Sequence, residues 1–123
     1  MKINSVAFFA YAVSNIHKSR SFYEGVLGLL PNSEYDGSEN PNWVEYDIGE
    51  TTLGIGCAPG MWDPSTTGAS AALEVEDFEA ALQTVKEKEV VIVMGPHDFP
   101  SCRMVVIADP DGNRITLHKR AER

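Results

Sequence analysis

The chain has 123 residues, 43% hydrophobic and 23% charged, the size and make-up of one folded domain, which excludes wholesale disorder and a fibrous repeat. Eighteen acidic against ten basic residues leave a net charge of −8, which argues against a surface for nucleic-acid phosphates or an anionic membrane. The expected partner is a small molecule or another protein. The longest apolar run, Val6 to Val13, has eight residues, against the roughly 20 that span a bilayer. No separate apolar leader with a small-residue cleavage site is legible, so a cytoplasmic location is expected. Cys57 and Cys102 stand 45 positions apart and read as small buried residues rather than a disulfide framework or a zinc site.

In chain order, Val6–Val13 is rich in aromatic and β-branched residues and predicts a strand. Asn15 is placed to cap a helix over about 16–27, with Ile16, Phe22, Tyr23, Val26 and Leu27 on related faces and Gly28 as its left-handed stop. Leu29–Tyr35 predicts a short strand, and Asp36–Pro41 a turn. Trp43–Ile48 alternates, with Val44, Tyr46 and Ile48 on one face and Trp43, Glu45 and Asp47 on the other. After Gly49-Glu50, a strand over Thr51–Cys57 carries Leu53 and Ile55 on one side and Thr52, Gly54 and Gly56 on the other. A loop rich in Pro and Gly leads to a strand over Ala69–Val75 and a helix capped by Asp77, with Phe78, Ala81, Leu82 and Val85 on one face. Strands over Val90–Met94, Cys102–Ala108 and Arg114–Lys119 follow, the last two joined by a turn at Asp111-Gly112-Asn113, and Gly95–Pro100 reads as a loop.

This order, β-α-β-β-β twice over, predicts an internal repeat. An offset of 62 carries Val13 to Val75, Asn15 to Asp77, and Leu53-Gly54-Ile55 to Ile115-Thr116-Leu117. The expected architecture is α+β: two βαβββ modules, about 1–58 and 69–120 around a linker of about 59–68, in a single domain over 1–123. A curved mixed sheet with a concave cleft is expected from packing two such half-sheets together.

The sequence Ile16-His17-Lys18-Ser19-Arg20-Ser21-Phe22-Tyr23 with Val26-Leu27-Gly28-Leu29, and the segment Ala108-Asp109-Pro110-Asp111-Gly112-Asn113-Arg114-Ile115-Thr116-Leu117, resemble the first helix and closing hairpin of the vicinal oxygen chelate superfamily. That superfamily groups glyoxalase I, extradiol dioxygenases, fosfomycin-resistance enzymes and bleomycin-resistance proteins. Its metal-using members hold one divalent ion with residues of the first and last strand of each module. Carried over on the two motifs, these positions are Phe8, Gly54, Ser70 and Thr116, and the offset of 62 takes Phe8 to Ser70 and Gly54 to Thr116. None carries the imidazole or carboxylate that such chemistry needs, so no metal and no cofactor is expected. Phe8 is expected to fill part of that space, with Gly54 leaving room opposite.

Other ligand-contact candidates are Trp43, Glu74, Arg114 and His118. His118 and Arg114 share a strand face with Thr116, and Glu74 shares one with Ser70. Glu74 is a candidate general base if desolvation raises its pKa; a rim charge in water is the plain alternative. His97 reads as part of a loop placed to close over a site, with plain solvation as the alternative. Met61 and Trp62 offer stacking surface or loop anchoring, and His17 reads as a surface residue. No catalytic residue can be named, and whether the chain is an enzyme stays open. The expected function is metal-independent binding of a small, mostly apolar molecule; the alternative is a metal-dependent lyase or dioxygenase recruiting His118, His97 or Glu74. A homodimer is also expected, from the resemblance and from the limited core that 13.5 kDa can bury. Light scattering at micromolar concentration should return twice the chain mass; the monomer mass contradicts it.

Overall fold

Both helices start where a short polar side chain precedes an amphipathic run. Asn15 Oδ1 accepts from the Lys18 amide and Asp77 Oδ1 from the Ala80 amide, both at 3.0 Å, and each satisfies one of the free N–H groups of a first turn. The structure, a computed structural model, describes residues 1–32 and 42–122. In order these form β1 (Phe9–Ala12), α1 (Ile16–Gly25), β2 (Trp43–Ile48), β3 (Thr51–Gly56), β4 (Ala71–Glu74), α2 (Phe78–Glu87), β5 (Ile92–Phe99), β6 (Cys102–Ala108) and β7 (Arg114–Arg120). They divide into two compact units, Met1–Pro64 and Ser65–Arg123.

In the first unit the sheet order is β1-β3-β2, with β1 parallel and β2 antiparallel to β3. A parallel pair needs a crossover, which α1 supplies. Phe22 and Tyr23 of α1 pack edge to face, and Tyr23 stacks on Tyr46 of β2 at 6.2 Å and meets Tyr11 of β1 at 6.3 Å. With Val44, Leu53 and Ile55 these are buried and form this unit's core, each large side chain contributing about 1.5–3 kcal/mol. The Tyr46 hydroxyl donates to Glu24 Oε2 at 2.8 Å, and burial followed by that carboxylate pushes its pKa well above the ordinary phenol range.

The second unit has the order β4-β7-β6-β5, with β4 parallel to β7 and the rest antiparallel. Phe78, Leu82 and Val85 of α2 and Val105, Ile107, Ile115 and Leu117 are among its buried residues. The internal offset is reproduced in the register. Phe9, Ala10, Tyr11 and Ala12 pair with Leu53 to Gly56, and Ala71 to Glu74 pair with Ile115 to His118, every partner 62 positions on. The helices obey the same offset, Ile16–Gly25 against Phe78–Glu87. It slips only at the hairpins, where the residues facing Leu53 and Ile115 are Tyr46 and Ile107, 61 positions apart.

Several boundaries differ from expectation. β1 is four residues rather than eight, because only Phe9–Ala12 lie opposite β3. β4 likewise covers Ala71–Glu74, the residues opposite β7, so Ser70 precedes the strand. The predicted strand at Leu29–Tyr35 is reduced to a bridge between Pro31 and Tyr46, and its residues 33–35, with the predicted turn at Asp36–Pro41, lie outside the described residues. α1 ends two residues early: the Val26 and Leu27 amides both donate to Phe22 O, and Gly28, with φ +70°, then turns the chain. Gly95–Phe99, expected with Pro100 as a loop, is strand, and only Pro100 lies in a turn. β5 runs on through Pro96 with two register shifts, which an outermost strand tolerates because a missing N–H there breaks no inner ladder. Cys57 and Cys102 are free and half-buried, not fully buried.

The extra residue of the second hairpin is organised by a side chain. Asp109 is buried; its Oδ1 accepts from the Asp111 and Asn113 amides at 2.9 and 2.8 Å and its Oδ2 from Asn113 Nδ2 at 2.8 Å. Replacing Asp109 with Ala strips these N–H groups of their acceptor and should lower stability by about 2–3 kcal/mol. Urea denaturation checks this, and a loss below about 0.5 kcal/mol means that the turn forms without the carboxylate.

Candidate functional site

In the first unit the residues that alternate with the core strip lie on the opposite face of the sheet. There Ala10 and Ala12 of β1 flank Gly54 and Gly56 of β3, and Trp43 and Glu45 of β2 stand opposite Gly56 and Gly54. Two glycines leave a bare strip of backbone, and indole rings fill it. A Cβ at position 54 would come within 2.7 Å of Trp43 Cζ2, and one at position 56 within 2.7 Å of Trp62 Cζ3 and 2.8 Å of Trp43 Cε3. The six-membered ring of Trp43 therefore lies across both glycines, its Cζ2–Cη2 edge over Gly54 and its Cε3–Cζ3 edge over Gly56.

Three further groups surround that ring. Trp43 Nε1 donates to Glu45 Oε2 at 2.7 Å, fixing the indole's rotation from two residues along the strand. Phe8, just ahead of β1 and 51% exposed, meets Trp43 edge to face at 5.8 Å and 78°. Trp62 lies 6.4 Å away at 32°. Its position follows from a tight turn in which the Met61 and Trp62 amides donate to Ala58 O at 3.0 and 2.9 Å and the Gly60 amide donates to Asp63 Oδ1. The result is an aromatic shelf on small residues. It corrects one expectation: Trp43, not Phe8, occupies the room over Gly54, while Phe8 forms an exposed wall.

The remaining candidates are in the second unit. Thr116 lies on β7 between Ala72 and Val106, and the Ser70 hydroxyl donates to the Ala71 carbonyl at 3.5 Å. Arg114 is exposed opposite Ala108. Glu74 and His118 come together as a cross-strand pair: Glu74 Oε1 accepts from His118 Nδ1 at 2.6 Å, and Oε2 from the Arg120 amide at 2.7 Å. Those two donors, the Arg120 amide foremost, hold the Glu74 carboxyl below the usual carboxylate range. The raised pKa that a general base at Glu74 requires is thus not what this position has. Its effect is to orient the imidazole, and His118 also lines a hollow of about 320 Å³ together with Ser101, Cys102 and Arg120. His97 lies in β5 opposite Met104 and is exposed, so it forms no closing loop. Glu45 and Gly56 were not singled out, although the two-residue period already placed Glu45 beside Trp43.

Neither unit's mapped positions suit a resident metal. In the first, Phe8 and Gly54 offer no donor atom and Trp43 fills the volume above Gly54; in the second, Ser70 and Thr116 offer only hydroxyls. Among the described residues no group of three or more His, Cys, Asp or Glu side chains is placed to hold an ion.

The profile of the Glyoxalase/Bleomycin resistance protein/Dioxygenase superfamily matches residues 2–117. The chain belongs to this superfamily. Metallothiol transferase FosB of Staphylococcus epidermidis is 28% identical over 125 residues, covering 96% of this chain and 83% of that protein. Among solved structures, TnmS3, an antibiotic binding protein from a Streptomyces species, is 26% identical with a TM-score of 0.75 and covers 98% of this chain and 99% of that one. A glyoxalase/dioxygenase from Nostoc punctiforme, 22% identical with a TM-score of 0.78 over 98% of this chain and 100% of its own, has the same fold.

Changing Gly54 to Ala places a methyl carbon 2.7 Å from Trp43 Cζ2, closer than van der Waals contact allows, and forces the indole to shift. Both tryptophans of the chain are on the shelf, so fluorescence reports it directly. The emission should shift to the red and stability should fall by about 1–3 kcal/mol. An unchanged spectrum and melting temperature mean that the ring does not lie over Gly54.

Proposed function

We propose that this protein binds, without catalysing bond cleavage, a small and mostly apolar molecule on the aromatic shelf of its first unit, and does so without a metal. The observation that carries this reading is the indole of Trp43 lying over Gly54, a position that the family resemblance maps to a metal ligand: Gly54 has no donor, and the space above it is aromatic surface. Flat rings in contact with half-exposed neighbours suit stacking against a planar ligand. The similarity to the antibiotic binding protein TnmS3 supports binding rather than turnover for this family member.

The similarity to FosB supports a second reading, metal-dependent chemistry with non-standard ligands, and the Glu74–His118 pair is the observation that favours it. An imidazole oriented by a carboxylate is the usual arrangement of a metal-binding histidine. Protein dialysed against chelator, re-exposed to zinc, nickel or manganese and desalted should carry far less than one ion per chain by elemental analysis. One tightly held ion, lost in His118→Ala, overturns the proposal in favour of the second reading.

A further inference from the structure

The shelf carries a charge as well as a shape. Within the sheet of β1, β2 and β3 no Lys, Arg or His occurs, and the only charged side chains are Glu45 and Asp47, both on the shelf's face. Asp47 is engaged by Asn32 Nδ2 at 2.7 Å and Thr52 Oγ1 at 3.0 Å. Glu45 is committed only through Oε2, to the Trp43 indole N–H, and among the described residues Oε1 has no partner. The carboxylate thus stands at the N–H edge of Trp43, opposite Gly54, while Trp62 stands at the Gly56 end and Phe8 meets the same indole in a T-shaped contact.

Resting on the binding reading above, we propose that the shelf selects an organic cation, an apolar group carrying a positive charge on or beside a ring. The electron-rich faces of Trp and Phe attract such a charge, Trp most strongly. Donation of the indole N–H to a carboxylate pushes further electron density into that face. A neutral apolar ligand would be served by the rings alone, whereas a carboxylate with a free oxygen at the rim is complementary only to a cation or a hydrogen-bond donor. The chain's charge of −8 raises the local concentration of cations and lowers that of anions.

The test uses N-methylquinolinium and quinoline, which differ in permanent charge and little in shape, titrated by calorimetry well above the pKa of quinoline. The wild type should bind the cation about 3- to 30-fold more tightly than the neutral ring. Glu45→Gln keeps an acceptor for the Trp43 N–H but removes the charge. It should cut that preference by about 2- to 5-fold while the melting temperature stays as in the wild type. Equal affinities, or a preference that survives Glu45→Gln unchanged, overturn the cation assignment and leave the small-molecule reading intact. Binding of neither probe at millimolar concentration overturns both.

Discussion

Each half of this protein depends on one parallel strand pair, β1 with β3 and β4 with β7. Parallel pairing cannot be closed by a tight turn, so each pair obliges the chain to cross over through a helix, and the helix covers one face of the sheet it bridges. The other face is thereby released from core duty. The register repeats at 62 positions in both halves, so the constraint is met by the same backbone solution twice, and what differs between the halves is the side chains set on the released faces.

That difference is chemical. On the first face the residues nearest the strand axis are Ala10, Ala12, Gly54 and Gly56, with large rings borrowed from β2, from the segment before β1 and from the loop after β3. On the second, Thr116, Glu74 and His118 keep polar groups of their own, and a carboxylate–imidazole pair replaces the aromatic layer. The first face pairs its rings with the carboxylates of Glu45 and Asp47, whereas the second holds an imidazole against its carboxylate.

Much of this was legible in the residues. Alternation over Trp43–Ile48 and Thr51–Gly56 places the two glycines and Trp43 on one face, and short polar residues ahead of amphipathic runs mark both helix starts. Spacing does not encode which strand lies beside which residue. That Trp43 faces Gly56 depends on the two-residue turn at Gly49-Glu50, and that placement, not the pattern, decides that Trp43 rather than Phe8 covers the bare backbone. Gly95-Pro96 reads as a strand breaker because local propensity carries no information on sheet position, and at an outer edge the break is tolerated. The lowered pKa of Glu74 was equally out of reach, since its largest cause is a backbone amide 46 positions away.

Trp62 differs from its neighbours in how it is held. Trp43 is built into a strand, but Trp62 rides on a short turn closed by Ala58 and Asp63 and ending the first unit at Pro64. Substitution or insertion within that turn leaves every ladder hydrogen bond of the sheet in place, because no residue of β1, β2 or β3 is altered. One wall of the shelf can therefore be rebuilt in size, tilt or polarity while its floor is conserved. Such separation lets descendants of one gene vary the surface of the shelf without first risking whether they fold.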